Sequence, residues 1–185
     1  IPSEIVFRII LYLSCNDISN LRLTSGRMRF HCDQPYLWRS IYLRPSSPPL
    51  KEKNYTEGHA TVLWKLTDLK KIIDVHLEHI KSIQIWGVRD NIVHYLLSSC
   101  PNLHHLTICG WATLSDHCLK VLPSQTPLKL RTLKLIGTSE QMNFVSVDAS
   151  ALGKLLVQTP DMTDLVFGCK MHIHADILLN ELEQS

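Results

Sequence analysis

Histidine and cysteine have the widest chemical repertoire in this 185-residue chain, which holds ten of the former and six of the latter. The tightest cluster is Cys169 with His172 and His174. A structural zinc site needs four ligands, and no second cluster partners this one. No two cysteines stand close enough for a Cys-x-x-Cys motif. The low cysteine density favours reduced thiols over a disulfide framework, which predicts a cytoplasmic or nuclear protein without a bound metal.

The sequence gives little support to catalysis. Ser, His and Asp are abundant, yet the chain lacks the Gly-x-Ser-x-Gly turn of hydrolases. It also lacks the phosphate-binding loop of nucleotide hydrolases and the glycine motif of dinucleotide-binding folds. The seven glycines are scattered along the chain. We therefore predict a protein that is not an enzyme and binds no cofactor.

Composition and charge narrow the choice of partners. Hydrophobic residues make up 45% of the chain and charged residues 19%, which predicts a folded protein. The net charge of +2 lacks the basic excess of nucleic-acid-binding proteins. The longest apolar run, residues 9–13, is far shorter than the roughly 20 residues that span a bilayer. We predict neither a nucleic-acid nor a membrane partner, and the start at Ile1 predicts a segment of a longer protein.

The N-terminal 44 residues predict a small helical unit with too much apolar surface. All of residues 5–13 are apolar except Arg8, and Ser3 is the predicted N-cap of this first helix. Such a helix is buried nearly all round, and a unit of about 40 residues is too small to enclose it. Either the following domain covers the surplus face or Ile5, Ile9 and Leu13 form a partner surface.

Two further short helices and a closing segment are predicted in the same unit. Asn16 or Asp17 is expected to cap the second helix and Ser25 the third. Trp38 in the closing segment is expected to lie in the core. The Pro-, Ser- and Lys-rich stretch at 45–61 has the composition of a linker.

These residues resemble the F-box from end to end. The resemblance rests on the opening Pro-x-Glu-Ile at 2–5, Leu-Arg-Leu-Thr-Ser at 21–25 and Leu-Trp-Arg at 37–39. It implies a three-helix module that binds a Skp-type adaptor, and through it a cullin, in a ubiquitin ligase. The family's adaptor surface, transferred residue by residue, falls on Pro2, Ile5, Ile9, Leu13, Ile18, Leu21 and Leu23.

The rest of the chain contains a repeated template with apolar residues at its first, fourth and sixth positions. The copies begin at Ile80, Leu103, Leu130 and Met162, separated by predicted helices. The first two spacings fit the 20–29 residues of leucine-rich repeats, and the third requires an insertion over 137–147. That insertion is either a binding loop or a loop that packs back on the array. The segments at 100–103 and 114–116 resemble the cysteine-containing class of leucine-rich repeat, with Trp111 in place of its landmark cysteine.

The predicted fold class is therefore α+β overall. A three-helix F-box at 1–44 and a linker at 45–61 precede an α/β leucine-rich-repeat solenoid with parallel strands at 62–185. The solenoid comprises about four repeats, and more are expected beyond residue 185. A helix containing Val62, Leu63, Leu66, Leu69 and Ile73 is expected to cap its open end and join it to the F-box.

The strand pattern also predicts a target-binding surface. Because side chains alternate along a strand, the third, fifth and seventh template positions face outward and align in three columns. These columns are Ser82, His105, Thr132 and Asp164; Gln84, Thr107, Lys134 and Val166; and Trp86, Cys109, Ile136 and Gly168. The third column is mostly apolar, which is typical of a binding surface. The residues expected to bind a target protein are Gln84, Trp86, His105, Lys134 and Ile136.

The sequence leaves alternatives open for the role of Trp86 and for the function of the protein. Either Trp86 binds a target, or it turns inward to cover the strand ends, or further residues of the parent chain cover it. The favoured function is that of a non-catalytic substrate receptor of a ubiquitin ligase. The alternative is a leucine-rich-repeat scaffold that acts outside any ligase.

Overall fold

The structure is a computed structural model that describes residues 2–44, 63–110, 119, 127–137, 145–168 and 171–184. Four helices and a strand form the N-terminal part: α1 (Ser3–Ile10), α2 (Cys15–Arg22), α3 (Gly26–Cys32), α4 (Pro35–Trp38) and β1 (Ser40–Leu43). The described elements that follow are α5 (Leu66–Ile73), β2 (Ser82–Trp86), α6 (Asp90–Ser99), β3 (His105–Cys109), β4 (Thr132–Ile136), β5 (Val145–Ser146), α7 (Ala149–Val157), β6 (Asp164–Gly168), β7 (Met171–His172) and α8 (Ala175–Glu183).

Serine side chains cap the N-termini of two helices in this part of the chain, α2 and α3. Ser25 caps α3 as predicted, because its Oγ accepts a hydrogen bond from the Met28 N–H at 3.2 Å. The predicted caps of the first two helices are wrong. Ser3 is the first helical residue of α1, preceded by Pro2, and Ser14 rather than Asn16 or Asp17 caps α2. The backbone of Ser14 is extended, so its hydroxyl faces the amide groups of the first turn.

Five parallel strands form the main sheet in the order β1-β2-β3-β4-β6. They pair in a constant register that places Ile83 beside Leu106, and Leu106 beside Leu133. The fourth and sixth template positions of β2, β3 and β4 are buried, as the alternation predicted. Strands β5 and β7 form a separate two-stranded parallel sheet. The chain is therefore a mixed α and β fold with a parallel sheet and a helical N-terminal region.

The sheet begins inside the segment that the sequence predicted to be purely helical. Strand β1 pairs in parallel with β2, and its Ile41 and Leu43 are buried under the sheet. Helix α5 was predicted to cap the open end of the sheet, and this is wrong because β1 occupies that edge. Helix α5 instead lies between β1 and β2 in the chain and packs against α2, where the Ser19 hydroxyl contacts the Lys71 carbonyl. Helix α5 therefore contacts the N-terminal helices through α2.

One hydrophobic core continues from the N-terminal helices into the sheet. It contains Val6 and Ile10 of α1 as well as Leu155 of α7. Trp38 fills the junction as predicted: it is 1% exposed, and its Nε1 donates a hydrogen bond to the Cys32 carbonyl at 2.7 Å. The Trp38 ring stacks on His76 with centroids 3.7 Å apart. None of the described helices is long and apolar enough to cross a membrane.

Glycines permit the turns that follow β2 and β3 and the close contact between α7 and α8. Gly87 and Gly110 directly follow β2 and β3 and have φ values of 67° and 64°, which residues with a Cβ rarely adopt. Gly153 of α7 lets α8 approach closely, because a Cβ there would lie 2.6 Å from the Cβ of Glu181. Other features predicted from the sequence, namely the linker, Trp111, the segment at 114–116 and most of the 137–147 insertion, lie outside the described residues.

His76 makes the stability of the protein depend on pH. Burial lowers the pKa of His76 to about 4, although Asp33 lies 3.7 Å from its Nε2. Between pH 6.5 and about 4 the unfolded chain therefore binds a proton that the folded chain excludes. We expect the free energy of unfolding to be highest above pH 6.5 and to fall, by at most about 3 kcal/mol from this group, as the pH drops to 4.

Chemical denaturation of the wild type and of a His76→Phe variant, near neutral pH and again near pH 4, measures this contribution. Phenylalanine keeps a ring on Trp38 but does not titrate. The variant should lose less stability on acidification than the wild type. Equal losses in the two proteins would show that His76 does not carry the effect.

Candidate functional site

Helix α1 presents apolar side chains on two sides. Val6 and Ile10 are buried in the core, whereas Ile5 and Ile9, one turn apart, are 49% and 51% exposed. No described part of the chain covers this outer side. A water-exposed pair of isoleucines lowers solubility unless a partner buries it. We call Ile5 and Ile9 the outer face of α1.

The structure divides the predicted adaptor residues into three groups. Pro2 and Leu23 are exposed, as are the two isoleucines of the outer face of α1. Leu13 and Leu21 are partly buried and pack against the core. Ile18 is 5% exposed and belongs to the core, so its side chain is not accessible on the surface of the described chain.

Three exposed apolar residues of the same region were missed by the sequence reasoning. Leu11, Tyr12 and Phe30 are more exposed than the isoleucines of α1. Because α1 ends at Ile10, the following residues form the turn to α2 and not another buried helical turn. Leu11 and Tyr12 line a groove of about 500 Å³ with Tyr36. The end of α1 at Ile10 could not be predicted from the sequence, because the apolar residues continue without a break to Leu13.

The outward side of the main sheet carries the three predicted columns. The strand register pairs Gln84 with Thr107, and Thr107 with Lys134. The five predicted target-binding residues lie on strands β2 to β4, and none of them is fully buried. His105 and Ile136 are exposed, whereas Gln84, Trp86 and Lys134 are half-buried. The columns themselves are therefore present as predicted.

Two members of these columns are less accessible than the alternation predicted. Cys109 is buried, with its Sγ 3.7 Å from the Nε2 of Gln84. Thr132 is also buried, and its Oγ1 contacts the Nδ1 of His105 at 3.0 Å. The longer side chains of Gln84 and His105 on the adjacent strands contact these two short side chains. The prediction of a continuous exposed apolar third column is wrong at Cys109.

Strand β1 adds residues to this surface that the sequence reasoning did not include. Tyr42 pairs in register with Gln84 and is exposed. The Tyr42 and Trp86 rings lie 4.6 Å apart. The Arg44 guanidinium lies over both rings, 4.3 Å from the Trp86 centroid and 5.7 Å from that of Tyr42. We call Tyr42, Arg44 and Trp86 the aromatic–arginine cluster. The sequence would have predicted this cluster only if residues 40–43 had been predicted as a strand.

The described part of the chain shows neither a metal-binding cluster nor a reactive cysteine. No group of three His, Cys, Asp or Glu residues there is placed to hold a metal ion, and Cys169 of the sequence cluster lies outside it. The four cysteines that the structure describes are free thiols. Burial raises the pKa of the Cys100 thiol to about 12, so this sulfur is protonated and unreactive at neutral pH.

The comparison with protein families agrees with the geometry of the N-terminal helices. Residues 1–44 match the F-box-like family. F-box domains are typically non-catalytic adaptor modules, and they generally bind Skp-type adaptors. This F-box-like domain contains α1 to α4 and β1, and it carries the outer face of α1. No curated protein sequence matches the chain.

Proposed function

We propose that the chain is the substrate-recognition subunit of a Skp-cullin-F-box ubiquitin ligase. The outer face of α1 carries the proposal, because it is an uncovered apolar surface within the domain that matches the F-box-like family. In this proposal Pro2, Ile5, Ile9 and Leu23 contact the Skp-type adaptor, and the adaptor connects the chain to a cullin. We also propose a location in the cytoplasm or nucleus, which is the expectation from the low cysteine density of the sequence.

The strand–helix units after the F-box-like domain then serve as leucine-rich repeats that form a solenoid. The support is a main sheet that gains one parallel strand per repeat in a constant register. The outward side of this sheet binds the target protein through Gln84, Trp86, His105, Lys134 and Ile136. The chain supplies no catalytic group, and ubiquitin transfer is accelerated because target and ligase are held together.

Reconstitution tests the assignment to a ligase. We expect the chain, co-expressed with a Skp-type adaptor and then mixed with a cullin, to elute as one complex of equal stoichiometry in size-exclusion chromatography with light scattering. Without the adaptor, the chain should aggregate, because the outer face of α1 stays exposed. A monomeric, monodisperse chain that does not bind the adaptor would contradict the proposal and favour a scaffold outside the ligase.

A further inference from the structure

We propose that the target surface extends onto β1 of the F-box-like domain and binds an acidic, extended segment of the target. This inference rests on the proposed function and names the chemistry of the partner. It arises from two cations on the outward side of the sheet, Arg44 at one end and Lys134 three strands away. Both belong to the described residues, and neither has an ion-pair partner among them.

Arg44 is held in a geometry that suits a carboxylate. Its guanidinium lies over the Trp86 ring at 4.3 Å, and Tyr42 supports that ring from the other strand. Stacking occupies a face of the planar guanidinium and leaves its N–H groups at the rim free to donate. A guanidinium already held in place loses little conformational entropy when it binds a carboxylate through two hydrogen bonds. The aromatic–arginine cluster is therefore a preorganised anion-binding element.

The charge of the surface selects for an acidic partner. The outward positions of β1 to β4 contain no Asp or Glu. The nearest carboxylate along the strand order is Asp164 on β6, which already accepts a hydrogen bond from the Thr163 hydroxyl at 2.7 Å. A basic segment would meet Arg44 and Lys134, and no carboxylate at the outward positions of β1 to β4 would offset the repulsion between these like charges.

The spacing of the two cations fits an extended peptide that crosses the strands. Neighbouring strands lie about 4.8 Å apart, so side chains three strands apart are separated by roughly 14 Å. An extended chain covers that distance in about four residues. Trp86 lies between the cations on β2, and Ile136 lies on β4 two positions after Lys134; both are apolar and partly exposed. The expected segment therefore has acidic residues about four positions apart with an apolar residue between them.

Fluorescence anisotropy with a defined probe tests the proposal. The probe is a short fluorescein-labelled peptide of repeated Glu-Glu-Leu triplets, and its counterpart has Lys in place of Glu. The full chain in complex with the Skp-type adaptor should bind the acidic peptide with an affinity that falls as salt rises. The Arg44→Glu/Lys134→Glu variant should bind it roughly tenfold or more weakly. The basic peptide should not bind the wild type.

A matched variant separates this surface from a general charge effect. Lys71→Glu/Lys154→Glu makes the same change of charge at exposed positions on α5 and α7, and it should bind the acidic peptide like the wild type. No binding of the acidic peptide, equal loss in both variants, or preference for the basic peptide would overturn the proposal. Adaptor binding by the same proteins is measured separately, so failure of the ligase assignment would be seen as loss of the adaptor complex.

Discussion

Replacement of Ile5 and Ile9 by Asp is expected to abolish binding of the Skp-type adaptor. Both side chains are about half exposed on one side of α1, so an adaptor that covers them would bury two unpaired charges in the variant. Loss of two side chains that are buried at the centre of an interface is expected to lower the affinity for the adaptor by about a hundredfold or more. Isothermal titration calorimetry of chain and purified adaptor, or co-elution on a sizing column, measures the change.

The same substitutions should leave the fold intact, since neither isoleucine belongs to the core. Leu13, also predicted to bind the adaptor, is a poor choice for this test because it packs against the core. A matched control is Ile177→Asp/Leu179→Asp on α8, where the exposed fractions are 47% and 55%. This control should retain adaptor binding. A folded Ile5→Asp/Ile9→Asp variant with wild-type affinity would refute the assignment of the outer face of α1.

Replacement of Trp38 by Ala should produce the largest loss of stability among single substitutions at the junction. Trp38 is 1% exposed, stacks on His76 and donates a hydrogen bond to the Cys32 carbonyl. Its removal leaves a cavity between α4 and the turn that follows α5, and an unpaired carbonyl. Buried tryptophan-to-alanine substitutions lower the free energy of unfolding by about 3–5 kcal/mol, which is a large part of the stability of a typical domain.

Urea denaturation followed by far-ultraviolet circular dichroism measures the effect. Trp86→Ala serves as the comparison, because Trp86 is half-buried on the outward side of the sheet and its removal opens no cavity in the core. That variant should lose only about 1 kcal/mol. If Trp38→Ala were no more destabilising than Trp86→Ala, the F-box-like domain and the sheet would not share a core at this point.

Local patterns in the sequence determined much of the secondary structure and the orientation of the strands. The alternation that starts at Ile80, Leu103 and Leu130 correctly placed the buried positions of β2 to β4, because successive side chains of a strand point to opposite faces. Ser25 marked the beginning of α3 through its side-chain oxygen. The surplus of apolar residues in α1 corresponds to Ile5 and Ile9, which no other described part of the chain covers.

The partners of these elements were decided by tertiary structure. Residues 40–43 form only four positions of alternating pattern, and their pairing with β2 depends on hydrogen bonds to a strand that lies about 40 residues away along the chain. That pairing brings Tyr42 and Arg44 next to Trp86 on the outward side of the sheet. Likewise, Ile18 and Leu23 are both strongly apolar, but Ile18 is buried in the core whereas Leu23, at the end of α2, is exposed. Hydrophobicity alone states that a side chain favours burial; whether the fold or a partner buries it depends on which elements pack beside it.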